Sequence, residues 1–125
     1  MASHISQNQI SFSVGTSQSY YLHVTIGDGQ VGSTTFKNFS GQLFSPKVFN
    51  ALIGTGAVMQ HQTSLVVSVV MDVNPNTDNM SVSYYITTQP LQDPSDLNSL
   101  TPVATIPFPA AQSATTTFYT DISYV

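Results

Sequence analysis

The chain has 125 residues, of which 41 % are hydrophobic and only 6 % charged, with a formal net charge of −4. Its charge consists of two lysines, Lys37 and Lys47, set against six aspartates, with no Arg and no Glu, where a typical globular domain is about 25 % charged. Two lysines cannot form the cationic cluster that nucleic acid or an anionic membrane requires, and the absence of cysteine excludes disulfides and thiolate metal sites.

Residues 1–125 fit one domain, with enough apolar side chains for a core. The segment Met1-Ala2-Ser3-His4-Ile5-Ser6 lacks the basic start and apolar stretch of a signal peptide. No apolar run is long enough to cross a membrane as a helix. The expectation is therefore a cytoplasmic protein, or one released without a cleaved signal.

In chain order, alternation with period two dominates. Ile10, Phe12 and Val14 alternate with serines, and Gly15-Thr16 breaks that strand. Tyr20, Leu22, Val24 and Ile26 share one face of the next strand, while Tyr21, His23 and Thr25 share the other. Gly27-Asp28-Gly29 predicts a tight hairpin turn. Residues 30–44 predict one or two short strands anchored by Phe36, Phe39 and Phe44, and Ser45-Pro46 predicts a short helical turn reaching Gly54. From Ser64 to Ile86 the pattern predicts a hairpin. Its first strand carries Leu65, Val67, Val69, Met71 and Val73 on one face and Val66 and Val70 on the other, which predicts a central strand buried on both sides. Residues 89–101 predict a loop with a helical turn from Pro94. Val103–Pro107, bracketed by Pro102, Pro107 and Pro109, predicts an edge strand. Phe118, Ile122 and Tyr124 point one way along a last strand over Ala114–Val125. These elements add up to an all-β, antiparallel sandwich of seven or eight strands, of jelly-roll or immunoglobulin-like type, with no long helix.

Chemistry-bearing motifs are sparse. Gly27-Asp28-Gly29-Gln30-Val31-Gly32 has the spacing of a dinucleotide loop, but the β-prone Ser33-Thr34-Thr35-Phe36 follows where that loop opens a helix. Asp72, Asn74, Asn76 and Asp78 place oxygen ligands at alternate positions, as a calcium loop does. The glycine and the bidentate Glu of an EF-hand are replaced by Thr77 and Ser83, which favours a polar turn. His4, His23 and His61 are not paired at ligand spacing. Carboxylate pairs could come only from aspartates, and no nucleophile elbow is present. None of this points to an enzyme or to a resident cofactor.

The two Tyr-Tyr pairs, Tyr20-Tyr21 and Tyr84-Tyr85, put one ring of each pair outside the core. Tyr21 and Tyr85, with His23, are thus the expected ligand or interface residues, able to stack on a sugar or bury against another subunit. A surface this poor in charge, with almost no lysine to guard sheet edges, suits a structural protein that self-associates or packs into a larger complex. The alternative is a carbohydrate-binding module for a neutral glycan, assisted by calcium.

Overall fold

The computed structural model describes residues 3–74, 76, 77, 79–108 and 115–125. Among the described residues nine strands follow in chain order: β1 (Ser3–Phe12), β2 (Ser19–Ile26), β3 (Val31–Lys37), β4 (Leu43–Phe44), β5 (Ala51–Thr55), β6 (Thr63–Met71), β7 (Met80–Thr87), β8 (Ala104–Phe108) and β9 (Thr115–Tyr124). They form an all-β sandwich of two sheets, ordered β1-β9-β6-β3-β4 and β5-β2-β7-β8. Strand β1 runs parallel to β9, from Ser3 opposite Thr115 to Phe12 opposite Tyr124. Each of the other strand pairs is antiparallel.

The strand positions follow the alternation, but two connections differ from expectation. The segment from Ser64 to Ile86 is not a hairpin, because β6 pairs with β3 and β9 while β7 pairs with β2 and β8. The connection from β6 to β7 crosses from one sheet to the other, a gap of about 10 Å. The turn at Gly27-Asp28-Gly29, with Asp28 and Gly29 both at positive φ, likewise joins β2 to β3 across the sandwich. Gln30 stitches the two crossings together. Its Oε1 accepts from the amides of Val73 and Asn74, and its Nε2 donates to the carbonyls of Thr77 and Asn79. Period-two patterning specifies that a strand exists, and it carries no information on which strand pairs with it.

The helical turn expected after Pro46 is also absent. Ser45-Pro46 is a cis peptide, and the chain then enters β5. A four-residue helix, α1, instead occupies Gly56–Met59. Gly56 is required there, since a Cβ at that position would collide with the carbonyl of Gly15. The turn from Pro94 does form, as a 3-10 helix over Pro94–Ser99 capped by Asp93, whose Oδ1 accepts from Ser95 N at 2.8 Å. Strand β8 lies at the sheet edge, where Pro107 withholds no ladder hydrogen bond from an outer neighbour. Pro109 and Ala114, expected to flank β8 and to open the last strand, lie outside the described residues.

Tyr20, Leu22, Met80, Val82 and Tyr84 face Phe36, Phe118, Ile122 and Tyr124 across the core. The inner face of the five-stranded sheet is partly polar, with Thr34, Ser64, Ser68, Thr116 and Thr120 all buried. Most of these hydroxyls are satisfied. Thr34 and Ser68 bond at 2.8 Å, Ser64 donates to Asn38 Oδ1 at 3.0 Å, and Tyr84 meets Thr120 at 2.7 Å between the sheets.

Candidate functional site

Tyr21, His23 and Tyr85 share the outer face of the four-stranded sheet, where His23 pairs with Tyr85 and Tyr21 with Thr87. They do not form an open aromatic strip. Both tyrosines are half-buried, and His23 is completely covered. The cover is non-local. Phe49 packs on the imidazole with ring centroids 5.1 Å apart, and Asn50 N donates to His23 Nδ1 at 3.0 Å. His23 Nε2 lies 2.8 Å from Thr87 Oγ1, whose hydroxyl donates to Gln89 O. The proton of the neutral ring therefore sits on Nε2. Burial lowers the imidazole pKa to about 4. His23 is an organising residue beneath a loop cover, and no surface ligand can reach it.

Among the described residues of the oxygen-rich 72–78 segment and its neighbour Asn79, the oxygens of Asn74, Thr77 and Asn79 are engaged in hydrogen bonds. Asn74 Oδ1 accepts from Asn76 N, and Asn74 Nδ2 donates to Asp28 O. The carbonyls of Thr77 and Asn79 are held by Gln30. Asp72 is partly buried, and Asp78 lies outside the described residues. Among the described residues no group of three or more His, Asp or Glu side chains converges as a metal site would require. The geometry is that of an Asx turn held by a glutamine, as a polar connection requires.

The open surface is on the other sheet. Along β6 the inward residues are Ser64, Val66, Ser68 and Val70, and the outward ones are Leu65, Val67, Val69 and Met71. The more apolar face of this central strand thus points to solvent. Strand order places β9 and β1 on one side of the stripe and β3 and β4 on the other. Met71, Val31, Ile5 and Tyr119 add large apolar surface, exposed by 49 %, 51 %, 66 % and 39 %. Two charges flank the stripe, Lys37 on β3 and Asp121 on β9, and both are paired in register with Leu65. Between β1 and β9 the same face holds an open hollow of about 600 Å³ lined by Gln7, Asn8, Gln9, Tyr119 and Asp121.

The apolar residues on both faces of β6 predict a strand buried on both sides. The structure corrects this, since Val69 and Met71 are exposed while the serines Ser64 and Ser68 are the buried ones. Tyr119, an aromatic ring that does reach this surface, follows Phe118 beyond three threonines and belongs to no Tyr-Tyr pair.

Comparison with known proteins returns no match to a family model, a curated protein or a solved structure. Among the described residues no helix is long and apolar enough to cross a membrane.

Proposed function

We propose that the protein is a non-enzymatic structural component that self-associates through the outer face of its five-stranded sheet. The observation that carries this reading is the polarity of β6, which buries Ser64 and Ser68 while presenting Leu65, Val67, Val69 and Met71 outward. A strand evolved for solvent on its outer face would carry the reverse pattern. The low charge of the chain acts in the same direction, since little self-repulsion opposes association. Sedimentation velocity from low to high micromolar concentration tests the reading, with Val69→Lys beside the wild type. Wild type is expected to associate. The variant is expected to stay monomeric with an unchanged unfolding midpoint. A wild type that remains monomeric throughout, or a variant that associates equally well, would refute the proposal.

The hollow beside Tyr119 favours a second reading, a glycan-binding surface. A phenol flanked by Gln7, Gln9 and Asp121 offers a stacking plane with amide and carboxylate partners for sugar hydroxyls. A glycan array probed with and without calcium tests it. Absence of any hit removes this reading and leaves the first intact.

A further inference from the structure

We infer that the partner on this face is a second copy of the chain, docked sheet to sheet about a two-fold axis running along β6. The inference rests on the self-association reading above and adds the partner and its geometry. The register of the sheet carries it. Lys37, Leu65 and Asp121 share one rung, with the lysine on the β3 side and the aspartate on the β9 side. A two-fold along β6 keeps each rung level and exchanges the two sides. Lys37 of one copy then faces Asp121 of the other, twice, with Leu65 against Leu65 between the two ion pairs. On the next rung Thr35 faces Tyr119 of the second copy. At the far end Met71 meets Met71, flanked by Val31 and Thr115.

The other in-plane two-fold, across the strands, is disfavoured by the same register. It would invert the rungs, placing Lys37 over Val31 and Asp121 over Thr115 and leaving both charges covered and unpaired. The favoured axis also brings the strands of the two copies into the aligned packing that twisted sheets adopt, about 10 Å apart. Strand β6 and the β3–β9 overlaps carry the contact, because the two-residue β4 covers only the edge of β1. At about 3.3 Å per residue and about 4.8 Å between strands, the overlapping face spans roughly 430 Å² per copy. That is smaller than the roughly 800 Å² per partner of a standard interface, so the pair is expected to be a weak, concentration-dependent one.

The test is charge reversal read by sedimentation equilibrium. Lys37→Asp alone and Asp121→Lys alone are each expected to weaken pairing by about tenfold or more, because each creates two like-charge contacts in the pair. An equimolar mixture of the two variants is expected to pair again. In the mixed pair the aspartate introduced at position 37 of one copy meets the lysine introduced at position 121 of the other. The second contact joins the native Asp121 of the first copy to the native Lys37 of the second. Both positions are exposed, so unfolding midpoints are expected to match wild type, and that measurement separates lost pairing from lost folding. Rescue in the mixture, with the mass of a closed pair, establishes the geometry. Association that Val69→Lys abolishes but that the mixture fails to restore overturns this inference alone. A wild type that never associates overturns both the inference and the reading beneath it.

Discussion

The backbone amide of Asn50 donates to Nδ1 of His23 at 3.0 Å, so the imidazole accepts on one side and offers its Nε2 to Thr87 on the other. A proton added at Nδ1 would point at the Asn50 N–H inside a covered site. Burial accordingly lowers the pKa from 6.5 to about 4. The unfolded chain binds this proton near pH 6.5 and the folded one only near pH 4, so the unfolded state is favoured as pH falls between those values. The contribution of His23 is full above about pH 7 and declines through the interval to a total loss of about 3 kcal/mol. His23→Asn keeps an acceptor and removes the titration. Urea midpoints at pH 4.5 and 7.5 are expected to differ more for wild type than for the variant, and parallel losses would contradict this.

Asn50 also clamps two segments that cover the outer face of the four-stranded sheet. Its Nδ2 donates to Leu91 O at 2.7 Å and its Oδ1 accepts from Leu91 N at 2.8 Å, while its backbone sits at φ 56°. Asparagine tolerates that left-handed conformation better than most residues. Asn50→Ala is expected to cost about 2 to 3 kcal/mol, from two lost hydrogen bonds and the strained φ. Asn50→Gly keeps the backbone permissive and loses only the amide, so it should fall between wild type and alanine. Equal losses for the two variants in chemical denaturation would mean that φ contributes nothing.

Local signals in the sequence were legible and long-range ones were not. The Pro94 turn forms because Asp93 and Asp96 cap it within four residues, with Asp93 N donating to Asp96 Oδ2 at 3.2 Å. Phe118, Ile122 and Tyr124 point inward as their spacing demands. The partner of β6 was not legible, because alternation is identical whether a strand meets its neighbour in a hairpin or across a crossing. Its inside was misleading, since Ser64 and Ser68 find amide and hydroxyl partners on Asn38 and Thr34 that are remote in sequence. The burial of His23 depends on Phe49, Asn50 and the 87–91 segment, none of which period two on β2 can announce.

Gln30 lies at the centre of the β6–β7 crossing. Four backbone groups converge on its amide at 2.7 to 3.1 Å. Gln30→Ala removes all four partners from a largely buried position and is expected to cost about 2 to 4 kcal/mol. Calcium or a chelator is expected to leave the melting temperature of wild type unchanged. A rise of several degrees on adding calcium would show that the oxygen ligands of this segment are available after all.

Two buried tyrosines make opposite use of their hydroxyls. Tyr84 bonds Thr120 at 2.7 Å between the sheets, whereas Tyr124 is fully buried with no hydrogen-bond partner for its hydroxyl. Burial pushes the Tyr124 phenol up to about 12. Ser64 is near enough to oppose that rise in part, but its hydroxyl is committed to Asn38. Tyr84→Phe strands the Thr120 hydroxyl in the core and is expected to cost about 1 to 2 kcal/mol. Tyr124→Phe removes a desolvated polar atom that gains nothing in return, so stability at neutral pH should hold or rise. Above pH 10 the two proteins diverge further. The unfolded tyrosine ionises near 10 and the folded one near 12, so wild type loses stability across that interval in a way the phenylalanine variant does not. Urea denaturation of both variants at neutral pH decides the matter, and equal destabilisation by the two substitutions would mean that Tyr124 has a partner in solution.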